Sequence, residues 1–215
     1  MNTNDYIIRR ENENDHFEVE NLIREAFWNQ YKPGCDEHYF AHILRAHPDF
    51  VPELDYVAEL DGKLVASIMY EKARLTDQNG NVKEIVTPGP ISVLPEFQRR
   101  GLSRLLLEKT FAIAAEIGYE AVVNFGDPCN YIKRGYKSCR KYNVCLEGGV
   151  FPSALLVKEL KEGALDGRRY IYSVGDAETF SQEAAEEFDR RFPPKEKGWS
   201  PHQEEFYIYS HSSIN

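Results

Sequence analysis

The stretch that most constrains this chain runs from Val82 to Ile117, where a long strand pattern, a proline interruption, a basic loop and an amphipathic helix follow one another directly. Val82–Val93 is β-branched and apolar enough for a strand, but Pro88-Gly89-Pro90 breaks it. A proline in a sheet removes a ladder donor, so the break predicts a bulge or a local opening. After Gln98-Arg99-Arg100-Gly101, a helix follows with Leu102, Leu105, Leu106, Ile113 and Ile117 on its buried side and Gly118 at its end. The apolar run Ala121–Phe125 is then a second, buried strand. A strand–helix–strand crossover of this kind requires a sheet with a helix packed on it.

The rest of the chain supplies the other layers. Tyr6-Ile7-Ile8 begins a short strand, and Asp15 with Glu18 three residues later resembles a capping box for a helix carrying Phe17, Leu22, Ile23, Ala26 and Phe27, closed by Lys32-Pro33-Gly34. A second helix is expected over residues 37–46, stopped by Pro48. Residues 54–60 and 64–75 flank Asp61-Gly62 as a hairpin, and Asn79-Gly80 turns the chain into the interrupted strand. A short helix is expected at 130–134 and strands at 142–146 and 154–160; beyond Leu160 the pattern weakens, leaving one acidic helix near 177–191 and a polar, aromatic tail. Hairpins mixed with crossovers predict an α/β (α+β) fold, a mixed central sheet flanked by helices. The expected organisation is one domain over residues 1–160 with a C-terminal extension, 161–215, packed on it.

Charge excludes some functions. The net charge is −9, distributed as −8 over residues 1–60, +3 over 61–150 and −4 over 151–215. An acidic chain with a mildly basic middle is a poor nucleic-acid binder, but it suits a phosphorylated small molecule at its centre and a cationic partner at its flanks. No apolar run approaches the ~18–20 residues that span a bilayer. The first residues lack the basic start and apolar stretch of a signal peptide, so a cytoplasmic protein is expected. The four cysteines, Cys35, Cys129, Cys139 and Cys145, contain no C-x-x-C pair. His38 and His42 share one helix face, but Tyr39 stands where a metalloprotease helix needs glutamate; they are read as two surface histidines and no metal is expected.

The chemistry lies where the strand ends, at residues 91–103. The first turn of a helix leaves N–H groups free at the positive end of its dipole, a ready anion site. Gly101 and Ser103 keep bulk away from it, and Arg99 and Arg100 add fixed positive charge. Gly-Lys-Ser/Thr is missing, as are two of the three glycines of a dinucleotide fingerprint. Taken alone, the loop reads as an ordinary βα turn with solvated arginines.

Gln98-Arg99-Arg100-Gly101-Leu102-Ser103 resembles the acyl-CoA loop Q/R-x-x-G-x-G/A of the GNAT superfamily of N-acetyltransferases, with Ser103 in place of the final Gly or Ala. The lead-in from Gly89 to Gln98 is similar to that of one branch of predicted acetyltransferases. Tyr131-Ile132-Lys133-Arg134-Gly135-Tyr136 resembles the family's Y-x-x-x-G-F segment, with Tyr136 for Phe. The resemblance covers residues 6–160 and implies acetyl-CoA as cosubstrate and direct attack of an amine on the thioester. It implies that the strands of Val82–Val93 and Ala121–Phe125 splay, exposing the backbone of Ile91, Ser92 and Val93 to the thioester and pantetheine. It places Gln98, Arg99, Arg100, Gly101, Leu102 and Ser103 at the pyrophosphate, and Tyr131 as the acid that protonates the departing thiolate. Asn124 stands at the spacing of a CoA-contacting asparagine, with Asn130 as its rival. Glu84, on the interrupted strand, is the expected general base, against the alternative of a plain surface glutamate. Cys129 adjoins the site, but direct transfer needs no covalent intermediate.

A lysine-like amine has a pKa of ~10.4, so a proton acceptor is required near neutrality. The expected function is transfer of an acetyl group to a primary amine of a small molecule or peptide. The alternative is a non-catalytic acyl-CoA-binding sensor. Glu18, Glu20, Glu25, Asp36 and Glu37, in or near the first two helices, point to a cationic acceptor, or serve solubility alone. Oligomeric state is not written in the sequence, and a homodimer stays open.

Overall fold

The computed structural model describes residues 5–214. Among them nine strands join in one mixed sheet. Strand β1 (Ile7–Arg10) lies at one edge beside β2 (Tyr56–Leu60), which forms the expected hairpin with β3 (Lys63–Asp77). Strand β3 pairs along one side with β4 (Val82–Val93), and β4 pairs with β5 (Ala121–Phe125), the one after the crossover helix α3 (Leu102–Glu116). Beyond β5 come β8 (Leu155–Glu159) and the short β6 (Lys137–Ser138).

Two features of this sheet position the site. The register between β3 and β4 slips at the proline break: Tyr70 faces Pro88 and Ile68 faces Ile91, so Gly89 and Pro90 both oppose Met69. That is the bulge the prolines predict. Strands β4 and β5 then run parallel with a register pair only at Val86–Val122. Past that point β4 carries two residues with no N–H to give, the ladder cannot continue, and a gap opens between the strands.

Helices α1 (His16–Phe27) and α2 (Glu37–Leu44) pack on one side, where Phe40 and Leu44 reach the bulge at Gly89. Helix α3 covers the other, where Tyr70 Oη and Thr110 Oγ1 share a buried hydrogen bond of 2.8 Å. The expected capping box shifts by one turn. Asn12 and Asp15 cap the single 3-10 turn Glu13–Asp15, and Asp15 is drawn to Arg9 at 2.6 Å. Glu18 instead accepts from the Leu64 N–H at 3.0 Å, tying α1 to the hairpin.

The chain beyond residue 160, expected to pack on the domain from outside, also contributes to the sheet. Strand β9 (Tyr170–Val174) pairs with residues 73–77 of β3, and the short β7 (Val144–Cys145) pairs with β9. Helix α5 (Gln182–Asp189) starts later than its acidic pattern suggests, because Ser181 caps it through the Ala184 N–H at 3.2 Å. Helix α6 (Pro201–His211) stands where only a tail was expected; it buries no residue, so no apolar stripe marks it in the sequence. Buried Arg24 secures this segment, donating to Asp189 Oδ1 at 2.6 Å and Pro193 O at 3.1 Å, with its guanidinium 4.3 Å over Trp28.

His38 corrects the surface reading. It is fully buried, with Nε2 3.0 Å from Asp189 Oδ1, whereas His42 is exposed and meets Glu20 at 2.9 Å. No helix among the described residues is long and apolar enough to cross a membrane.

Candidate active site

A cleft of about 1150 Å³ opens where β4 and β5 part. Its floor is the bulged end of β4, from Pro88 to Ile91 and Val93. One lip is the loop and first turn of α3, residues 97–104 apart from Arg100; the other is the end of β5 and the short α4 (Pro128–Tyr131), from Asn124 onward. The remaining wall combines the α1–α2 turn, with Tyr31, Asp36 and Glu37, and the C-terminal segment, with Glu178, Phe180, His202 and Phe206.

The α3 lip depends on two left-handed residues. Arg99 has φ 62° and Gly101 φ 87°. Gly101 is the residue before the helix, and its carbonyl accepts the first helical bond, from the Leu105 N–H at 3.0 Å. No side chain caps the turn, so the N–H groups of Leu102, Ser103 and Arg104 stay available to an anion. A Cβ on Gly101 would meet nothing within 4 Å; the glycine is needed for its backbone angle and for the open space over the loop. Gln98 Nε2 braces the loop on the Val93 carbonyl at 3.2 Å. Arg134, following α4, spans the two lips, donating to Ser103 Oγ at 3.4 Å and to the Asn130 carbonyl.

On the opposite lip Tyr131 packs edge-on against Tyr136, ring centres 5.4 Å apart. Burial raises its phenol above the ordinary tyrosine value, while the neighbouring Asn124 amide and Arg134 oppose the shift. Asn124 is 5% exposed, and its Nδ2 has no hydrogen-bond partner among the described residues. Tyr31 packs on Phe206 with ring centres 4.3 Å apart. Its phenol is raised by burial, with Tyr131, Glu37 and Asp127 adding to the shift. Burial pushes the Glu37 carboxyl up to about 7, Asp36 adding and Lys32 opposing.

Most of the residues singled out from sequence meet here: Ile91, Val93, Gln98, Arg99, Gly101, Leu102, Ser103, Asn124, Asn130 and Tyr131 all line the cleft. Ser92 does not, since strand alternation turns it to the opposite face, 1% exposed and in register with Ser67. Arg100 lies over the Phe97 ring at 5.0 Å and donates to the Glu96 carbonyl at 2.7 Å, outside the cleft lining. Glu84 is not brought to the site. It precedes the Val86–Val122 pair, on the closed side of the gap, and is exposed in a separate hollow with Glu53, Gly118 and Tyr119. Cys129 is exposed on α4 and does not line the cleft. Of the acidic residues in or near the first two helices, Asp36 and Glu37 reach the cleft; Glu20 is held by Arg45 and Glu25 by Lys195. Arg134 was legible within the Tyr131–Tyr136 segment. Glu178, Phe180, His202 and Phe206 carry no local signal.

The comparisons with known proteins agree with this geometry. A family model described as Acetyltransferase (GNAT) family matches residues 18–136. Among curated proteins, the chain is 27% identical over 107 residues to the uncharacterized N-acetyltransferase YhbS of Escherichia coli K12, a match spanning 50% of this chain and 62% of that relative. The crystal structure of YhbS from Escherichia coli in complex with CoA superposes with a TM-score of 0.70 at 25% identity, covering 81% of this chain and 92% of that one. A GNAT family acetyltransferase from Brucella melitensis, solved in complex with acetyl-CoA, superposes with a TM-score of 0.53 at 28% identity, covering 62% of this chain and 83% of that one. The splayed strands, the uncapped helix start and the extent of these matches lead to one conclusion: the chain belongs to the acetyltransferase (GNAT) family.

Proposed function

We propose that the protein is an N-acetyltransferase that passes the acetyl group of acetyl-CoA directly to a cationic primary amine of a small molecule or peptide. One observation carries the reading: β4 and β5, paired at Val86–Val122, part beneath an uncapped helix start, and Tyr131 faces the gap from the other lip. In this reading acetyl-CoA is the cosubstrate. Its pantetheine lies along the open edge of β4, and its pyrophosphate meets the N–H groups of residues 102–104, with Arg99, Arg104 and Arg134 near the charge. The complexes of the two relatives with CoA and acetyl-CoA support this placement.

Tyr131 is the proposed acid. Its raised pKa keeps the phenol protonated at neutral pH, ready to donate to the departing thiolate. The acceptor enters from the wall that carries Asp36, Glu37 and Glu178, whose carboxyls favour a positively charged amine. The free cysteines fit a reducing compartment, and the cytoplasm is the proposed location.

The test is thiol release from acetyl-CoA over a panel of polyamines, aminoglycosides, amino acids and peptides with free N-termini. Replacing Tyr131 by Phe should abolish most thiol release while acetyl-CoA still binds. Acetyl-CoA binding without turnover over the whole panel would favour a non-catalytic acyl-CoA sensor instead.

A further inference from the structure

Direct acetyl transfer needs a group to take the proton of the acceptor amine, and Glu84 lies outside the cleft. Resting on the acetyltransferase reading, we infer that Glu37, the first residue of α2, is that proton acceptor. Four carboxyls line the cleft, and three have other circumstances. Asp127 caps α4 through the Cys129 N–H at 2.8 Å, and Asp36 is paired with Lys32. Glu178 is exposed where Glu37 is half-buried, although burial and Asp36 raise its carboxyl as well. Glu37 is half-buried, and its Oε2 is fixed by the Asp36 N–H at 3.1 Å. The Glu37 N–H also bonds this carboxylate, but no lysine, arginine or histidine among the described residues forms an ion pair with it, so it stays open to a cationic substrate in the cleft.

The surroundings suit the role. Burial holds the Glu37 carboxyl at about 7, so it takes and releases a proton near neutrality. The charged and titratable groups around it are Lys32 and Asp36 from the same turn, Cys35 and Tyr31, with Glu178, His202 and Asp127 around the same cleft. Tyr31, raised first by burial, lies close enough to both Tyr131 and Glu37 to feel their charge.

Glu37 removes one proton from the ammonium, freeing the nitrogen lone pair. The nitrogen forms a bond to the thioester carbonyl carbon, and the C–S bond breaks with its electron pair on sulfur. Tyr131 gives its proton to the sulfur and is restored by the second proton lost from nitrogen. The proton on Glu37 passes to solvent, leaving amide, thiol and one released proton.

The experiment compares Glu37→Gln with the native enzyme, using two acceptors from the panel whose amine pKa values differ. A limb in kcat/KM that stays near pH 7 for both acceptors belongs to the enzyme rather than the amine. Glu37→Gln should lose that limb and about a hundredfold or more in kcat, with acetyl-CoA affinity by calorimetry unchanged. Glu178→Gln should raise the acceptor KM and keep the limb. A limb that persists in Glu37→Gln overturns the inference and spares the acetyltransferase reading; native enzyme inactive over the whole panel overturns both. If Glu37→Gln fails to fold, Glu37→Asp replaces it: reduced kcat with a displaced limb supports the assignment, and an unchanged profile overturns it.

Discussion

A Cβ placed on Gly126 would lie 2.8 Å from Cε2 of Tyr131 and 3.1 Å from Nδ2 of Asn124. The glycine therefore admits the tyrosine ring and the asparagine amide together at the lip of the cleft. Gly126→Ala should displace the Tyr131 ring and lower kcat by an order of magnitude or more, since small misplacements at a reacting centre are costly. The overpacking itself should destabilise the fold by about 1–3 kcal/mol. Steady-state kinetics beside thermal melting checks both, and unchanged kcat would detach Tyr131 from the chemistry.

Gly101 answers to a different constraint. With φ 87° and no neighbour within 4 Å, its replacement by Leu places a side chain over the helix start and strains the backbone. Acetyl-CoA affinity should fall at least tenfold, with a backbone cost of about 1–2 kcal/mol. Arg99→Ala should weaken binding less, because it removes one exposed charge and leaves the amides in place. Titration calorimetry distinguishes the two, and undiminished affinity in Gly101→Leu would move the cofactor site elsewhere.

Salt should read out the acidic wall. If Asp36, Glu37 and Glu178 attract the acceptor, its KM rises steeply with ionic strength, since the screening length is only about 8 Å at 0.15 M. A neutral or acidic amine should show little salt effect and poor turnover. Finding such an amine to be the best substrate would discard the cationic acceptor while leaving the transferase assignment intact.

His38 should make stability pH-dependent. Burial holds its pKa down to about 4, Arg24 reinforcing the shift and Asp189 opposing it. The unfolded chain, with an ordinary histidine, binds a proton that the folded chain refuses between about pH 6.5 and 4. Stability is therefore full above 6.5 and falls as pH drops through that window, by on the order of 3 kcal/mol at its lower end. Denaturant unfolding at pH 7 and pH 5 measures the slope, and His38→Gln should flatten it relative to the native protein.

The β4–α3–β5 crossover and the bulge were legible from the residues alone, because proline chemistry and the helix start act within a few residues of chain. The helix start at 98–103 was legible for the same reason, whereas its role and that of Tyr131 came from the resemblance to the acetyltransferase family. The remaining wall of the cleft was assembled by tertiary packing, although Asp36 and Glu37 already stood out as acidic residues near the first two helices. Glu37, Glu178, Phe180 and Phe206 come from segments far apart in the chain, and α6, which buries no residue, has no period to betray it. Tertiary packing also placed two residues away from where the family resemblance, for Glu84, and the local pattern, for His38, had put them. Glu84 lies on the β4 strand but on the closed side of the gap, because the position where β5 stops pairing depends on the whole sheet. His38 sits on a short amphipathic helix, but α5 and the Phe192 turn bury it. Local sequence specifies bonds made between near neighbours; which face of an element ends in a cleft, in the core or in solvent depends on partners more than a hundred residues away, such as Asp189 for Arg24.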